Sequence, residues 1–166
     1  MTAGNSVKLI SDTVEISEMS EHDLLEVVEI EESCGLSRWG WEAYYTELAQ
    51  GDRRLMLVAR DSYASSNREE QRVVAFIASR YTAGELHINN VAVRPEYRRR
   101  GIGKALMDAV LKAAASSGAH KALLEVRASN LYAQSLYLRC GFRYTGRRRN
   151  YYKEPVEDAL LMALDL

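Results

Sequence analysis

Residues 94–104 read RPEYRRRGIGK: a proline, three consecutive arginines, two glycines one residue apart, and a lysine. In isolation the stretch fits a nucleic-acid patch, a phosphate cradle or a solvated charge run ahead of a helix. The flanks discriminate. Upstream, GELHINNVAV (84–93) is a strand whose alternation slips: Leu86 and Ile88 are apolar on even positions, Val91 and Val93 on odd ones. A period-2 pattern that slips by one implies an extra residue near Asn89 and Asn90, a β-bulge of the kind that favours sheet edges and active sites. Downstream, GIGKALMDAVLKAAASSG (101–118) is a helix with Ile102, Leu106, Ala109, Val110 and Ala113 on one face and Gly118 as its stop. HKALLEV (120–126) is again a strand, so strand, helix and strand form a right-handed crossover and the two strands are expected to be parallel.

The remaining chain completes an α/β fold. Val14–Met19 alternates as a strand, and Ser20 with Asp23 starts a helix expected to run to Cys34 on Leu24, Val27, Val28 and Ile30. A short helix around Trp41–Ala49 follows, then the strands RRLMLVAR (53–60) and RVVAFIASRY (72–81), expected as an antiparallel pair. The intervening DSYASSNREEQ (61–71) is a polar connection without visible chemistry. A helix over about 130–140 carries Ala133, Leu136, Tyr137 and Cys140 at helical spacing, and FRYTGRRRNYY (142–152) and DALLMALDL (158–166) close the chain as strands. The expected architecture is one domain over 13–166, a mixed, mostly antiparallel sheet with a central parallel pair splayed at the bulge and about four helices; 1–12 is expected to be a loose extension.

Bulk properties narrow the function. The 166 residues suit one domain with a real core, and 47% apolar with 27% charged residues is an ordinary globular balance. A net charge of −1 gives the whole molecule no electrostatic claim on nucleic acid, so any anion site must be local. No apolar run approaches signal-peptide or membrane-span length, and a cytoplasmic location without stable nucleic-acid or membrane partners is expected. Cys34 and Cys140 are expected to be reduced, buried thiols; His22, His87 and His120 are scattered, so no metal site is expected.

Gly101 and Gly103 stand where a helix follows a strand, a place where unpaired N–H groups and the helix dipole attract anions. A P-loop would need glycine where Arg98 stands and Ser or Thr where Ala105 stands; a dinucleotide fingerprint would need a small residue in place of Leu106. What remains is Arg98-x-x-Gly101-x-Gly103 behind a bulged strand ending VAV. This resembles the acetyl-CoA motif (Gln/Arg-x-x-Gly-x-Gly/Ala) of the GNAT superfamily of N-acetyltransferases. Together with LEVRASN, LYLRCGF, RRNYY and EDALLMAL, it resembles the RimI group of ribosomal-protein-alanine N-acetyltransferases over roughly residues 13–164.

The resemblance implies an acetyl-CoA-dependent enzyme. It implies that Val91, Ala92 and Val93 bond the pantetheine arm, and that Arg98, Arg99, Arg100, Gly101, Ile102, Gly103 and Lys104 hold the pyrophosphate, with the Arg98 side chain adding charge rather than geometry. Asn130 is similar to the family asparagine that contacts the cofactor beyond the thioester. Glu125, in the otherwise apolar ALLEV, is from the residues alone either a surface carboxylate paired with Arg127 or a functional one; the resemblance assigns it as general base. Tyr137 reads as core from its spacing and as general acid from the resemblance to LYxxxGF. A backbone N–H near Val91 is the expected oxyanion donor. Cys140 has no histidine near it and reads as packing, which favours direct transfer in a ternary complex over an acyl-enzyme.

Tyr151 and Tyr152 match family tyrosines at the acceptor entrance, and Trp39 and Trp41 lie in the segment that lines its other wall. The group usually carries Pro-Trp-Ser there, and this chain has Arg38-Trp39-Gly40-Trp41. The implied acceptor is the N-terminal α-amine of a protein, that of the eighteenth small-subunit ribosomal protein, with other N-termini open. Alternative readings are a lysine or small-amine acetyltransferase, or a non-catalytic module that binds acyl-CoA or contacts RNA through Arg98–Arg100 and Arg147–Arg149. Oligomeric state is not legible.

Overall fold

The central strand carries seven consecutive buried residues, Val73–Ser79, and so must be covered on both faces. The structure, a computed structural model, describes residues 8–9, 13–36, 38–51, 54–64 and 71–166. Its elements are β1 (Lys8–Leu9), β2 (Val14–Glu18), α1 (Leu24–Ser33), α2 (Gly40–Leu48), β3 (Arg54–Asp61), β4 (Arg72–Thr82), β5 (Glu85–Val93), α3 (Ile102–Ser116), β6 (Lys121–Arg127), α4 (Leu131–Arg139), β7 (Arg143–Lys153) and β8 (Val156–Asp165). One sheet runs in the order β1-β2-β3-β4-β5-β6-β8-β7. All neighbours are antiparallel except β5 and β6, which are parallel as the crossover through α3 requires. Of the expected extension over 1–12, Lys8–Leu9 pair with β2 as a short edge strand; the rest lies outside the described residues.

Two cores flank the sheet. Leu24, Val27, Ile30, Tyr44 and Leu48 of α1 and α2 cover Val58, Phe76 and Ala78 on one face. On the other, α3 buries Ile102, Leu106, Met107, Val110, Leu111 and Ala114 against Ile77, Leu86 and Ile88, with Tyr137 of α4 in the same cluster. The buried stripe of α3 is thus shifted from the expected one. Ala109 and Ala113 are only partly covered, because Met107 and Leu111 reach further towards the sheet.

The bulge falls where the broken alternation placed it. Ala78 pairs with Asn90 and Ser79 with Ile88, leaving Asn89 as the extra residue. Leu86 and Ile88 therefore face the α3 core before the bulge, and Val91 and Val93 face it after. Pairing of β5 with β6 covers only Glu85–Ile88 against Lys121–Leu124, after which the strands diverge.

A buried ion pair anchors the first helix. Arg60 Nη2 donates to Asp23 Oδ2 at 2.8 Å, and Asp23 also receives the Ser20 N–H at 2.7 Å. Both side chains are nearly enclosed, at 10% and 2% exposure, so removing the acid strands a buried guanidinium. Asp23→Ala is expected to cost about 3 kcal/mol and to lower Tm by roughly 10 °C for a chain of this size; urea and thermal unfolding of the two proteins measure it.

Candidate active site

The loop from β5 to α3 ends in two left-handed residues, Arg99 at φ 63° and Gly101 at φ 80°. Gly101 caps α3 without a side chain, so no side chain bonds the N–H groups of the first turn, which start with Ile102, Gly103 and Lys104. A Cβ at Gly101 would meet nothing within 4 Å, which leaves the space in front of these donors open. The two glycines do different work. A Cβ at Gly103 would lie 3.3 Å from Leu136 Cδ2 and 3.6 Å from Val93 Cγ2, so this glycine lets α3 sit close to α4 and β5.

The basic residues around this turn differ in freedom. Arg98 Nε donates to the Val93 carbonyl at 3.1 Å and Nη2 to Cys34 Sγ at 3.3 Å. Its side chain therefore shapes the turn, which corrects the expectation that it adds charge alone. Arg100 donates to the Glu96 carbonyl at 2.9 Å and lies over the Tyr97 ring, while Lys104 pairs with Asp108 at 2.7 Å. Arg99 has no such partner among the described residues and projects into solvent. The Val93 carbonyl already accepts from Arg98 and Cys34, and Ala92 turns its methyl into the α1–α2 core. Uncapped donors, open approach and surrounding cations fit a diphosphate at this turn. Cys34 and Cys140 are free and only half-buried, less enclosed than expected.

Past the bulge, the divergence of β5 from β6 opens a cavity of about 1110 Å³. Asn89 and Asn90 line one side, Leu124, Glu125 and Arg127 the other. Glu125 faces this groove and pairs with Arg148 Nη1 at 2.7 Å, not with Arg127, which turns to Glu157 and lies 4.1 Å over the Tyr152 ring. Arg148 itself lies over the Tyr151 ring. Hydrogen bonding to Glu125 pushes the Tyr151 phenol above its ordinary value, and burial with the Glu125 charge nearby pushes Tyr152 up to about 12. Both phenols are protonated at neutral pH. They reach the groove because β7 shifts register between Arg148 and Tyr152; Asn150 turns left-handed at φ 50° and its N–H is held by Asp158 Oδ1 at 2.8 Å.

Four of the six residues expected to act or to touch the acceptor line this groove: Glu125, Tyr151, Tyr152 and Trp39. Trp41 does not; it stacks on Tyr45 with centroids 4.8 Å apart and is 42% exposed. Tyr137 is not in the lining either. It is 7% exposed in the α3 core, the cluster that also holds Ile102 and takes Val91 and Val93 against it, and burial pushes its phenol well above its ordinary value, so it carries its proton at neutral pH. Asn130 caps α4, its Oδ1 accepting from the Ala133 N–H at 3.1 Å, which leaves its amide group to donate elsewhere.

Some supporting residues had escaped the sequence reading. Gln134 is buried on α4, donating to the Arg127 and Ala128 carbonyls at 3.1 and 2.9 Å and accepting from Tyr144. It ties α4 to the end of β6. A glutamine on an otherwise apolar helical face was the available signal. Arg148 drew notice only as part of a charge run.

The fold and this pair of sites define an acyltransferase class. The sequence model of the acetyltransferase (GNAT) family matches residues 24–142, and the chain belongs to this family. Acetyl-CoA is its acetyl donor. The chain is 32% identical over 153 residues to the [ribosomal protein bS18]-alanine N-acetyltransferase of Salmonella typhimurium, covering 91% of this chain and 97% of that one. It superposes on the crystal structure of the ribosomal-protein-S18-alanine N-acetyltransferase from Escherichia coli with a TM-score of 0.76 and 32% identity, over 92% of this chain and 93% of that one. Ard1 from Thermoplasma volcanium aligns with a TM-score of 0.80 and 26% identity, over 93% and 98% of the two chains.

Gly101→Val puts a β-branched side chain at a left-handed position. It is expected to weaken acetyl-CoA binding about tenfold, the equivalent of the strain at one such residue. Isothermal titration with acetyl-CoA reads the change, and an unaltered Kd in the folded variant removes the turn from the binding site.

Proposed function

We propose that this protein acetylates the N-terminal α-amine of a protein, the N-terminal alanine of ribosomal protein bS18 being the favoured acceptor, by direct transfer in a ternary complex in the cytoplasm. The observation that supports this most is a carboxylate, Glu125, facing an open groove between two diverging strands with two protonated tyrosines beside it. A groove open at the splay takes an extended chain end. Two of the relatives named above are ribosomal protein S18-alanine N-acetyltransferases. No helix among the described residues is long and apolar enough to cross a membrane.

In this reading the first turn of α3, with Arg98–Lys104, holds the diphosphate, backbone groups of Val91–Val93 orient the arm, and Asn130 offers its free amide beyond it. The cofactor supplies an acetyl group activated as a thioester. The chain end arrives as an ammonium, with a pKa near 8, and Glu125 takes its proton so that the amine can attack. A backbone N–H near Val91 donates to the carbonyl oxygen as charge develops there. Tyr137, protonated and enclosed beside the cofactor strand, holds the proton for the leaving sulfur. Tyr151, Tyr152 and Trp39 orient the acceptor backbone; Trp41 has a packing role.

Four of the six arginines in the runs considered for RNA are engaged elsewhere: Arg147 with Asp158 at 2.6 Å, Arg148 with Glu125, and Arg98 and Arg100 with backbone carbonyls.

Intact-mass assays with peptides differing only in their first two residues, beside a peptide with a blocked terminus and a free lysine, test the acceptor. Acetylation of free termini is expected, led by N-terminal alanine; modification of the blocked peptide alone would sink the proposal. Glu125→Gln and Tyr137→Phe are each expected to lower kcat about 10²-fold with acetyl-CoA affinity nearly unchanged. Full turnover in both variants would take the proton-transfer roles away from these residues.

A further inference from the structure

One buried carboxylate lies outside this scheme. Glu31, near the end of α1, is 0% exposed and pairs with no lysine, arginine or histidine among the described residues. An isolated buried carboxylate is costly unless donors surround it, and here they come from two directions. From the α1–α2 connection, the Trp39 N–H donates to Oε1 at 2.8 Å and the Gly40 N–H to Oε2 at 3.1 Å. Glu31 thus sits at the N-terminus of α2, where the helix dipole favours negative charge. From the α2 face and the bulge, the Tyr44 hydroxyl donates to Oε1 at 2.9 Å, and Asn90 Nδ2 donates to Tyr44 Oη at 2.8 Å and lies 3.5 Å from Oε1.

These partners belong to two segments that border the groove. Leu36, Arg38 and Trp39 of the α1–α2 connection line the cavity, as do Asn89 and Asn90 of the bulge. The bulge turns Asn90 into the α1–α2 layer, where an amide would otherwise be buried unpaired among Tyr44 and Phe76. We propose that Glu31 is a positioning residue that fixes the shape of the acceptor groove by holding the Trp39–Gly40 backbone and, through Tyr44, the bulged Asn90 to one carboxylate. The proposal rests on the N-terminal acetyltransferase reading for its kinetic consequence, and on the geometry alone for its structural one. Glu31 touches no reacting atom. It acts through the placement of Trp39 and of the backbone around Asn90.

Glu31→Gln keeps the shape and one acceptor but sets an NH₂ against a backbone N–H donor, whichever of the two oxygens it replaces. It is expected to raise the KM for the acceptor peptide about tenfold, as displaced positioning groups do, while the KM for acetyl-CoA stays within about twofold, since the α3 turn is untouched. Amide hydrogen exchange should quicken at Trp39 and Gly40 together with the segment around Asn90, leaving α3 protected. Tyr44→Phe and Asn90→Ala break the relay without touching the carboxylate. They are expected to give smaller rises in peptide KM that are less than additive in the double variant, and they carry the test if Glu31→Gln does not fold. Unchanged peptide KM in the folded variants, or a parallel rise in both KM values, overturns the proposal. Wild-type protein inactive on every free terminus would refute the functional reading instead. The exchange experiment would then still decide the positioning role, and exchange quickening at Trp39 and Gly40 without the Asn90 segment would overturn it.

Discussion

A single extra residue, Asn89, governs the arrangement of everything around it. Without it β5 would present one face to α3 from end to end and could pair with β6 along its length. With it, the strand rotates at mid-course, its apolar side chains return to the α3 core one position out of phase, and its pairing with β6 stops after four residues. The parallel pair thereby has a closed end and an open end. The closed end belongs to the core; the open end is the groove. A bulge leaves a polar side chain pointing into a layer that is otherwise apolar, and it persists only if that side chain is bonded. Tyr44 and Glu31 meet that demand, and so the defect in the sheet and the wall made by the α1–α2 connection are one structure.

The charges are disposed to match. Formal net charge is close to zero, and the arginines near either site are mostly held by carboxylates or carbonyls. At the α3 turn the positive character comes from backbone N–H groups and a helix end, with Arg99 the side chain of the turn that has no partner among the described residues. In the groove, Glu125 is set against Arg148 and flanked by two phenols that stay neutral. Neither region offers the unpaired cationic field that a polyanion needs for extended contact. The positive character of the turn is narrow and local, and the groove is close to charge-balanced.

Much of this was legible in the sequence because it is written in local periodicities. The slip between Ile88 and Val91 located the bulge, the α3 pattern with its glycines located the helix turn, and the crossover rule made β5 and β6 parallel. What could not be read were relations between distant residues. Glu125 and Arg127 stand two apart on one side of a strand and suggested a pair, yet β7, arriving from beyond α4, brings Arg148 to the first and leaves the second to Glu157 and Tyr152. Trp39 and Trp41 looked alike in sequence, but the start of α2 falls between them and sends them to different surroundings. Glu31 sat on a helix already rich in glutamates, with nothing to mark it as the one enclosed among them.

Gly103 deserves a different description from the one its motif suggests. The residue a methyl there would crowd is Leu136, whose Cδ2 would lie 3.3 Å away, and the next residue on α4 is Tyr137. The beginning of α3 and the middle of α4 are therefore gauged against each other by an apolar contact the thickness of one missing carbon. A ruler is set between the first turn of α3 and the phenol buried in the core, and the contact that sets it is apolar. Drift at this position would alter reach while leaving chemistry intact, so the spacing between the α3 turn and the α4 phenol is inherited from side-chain volume.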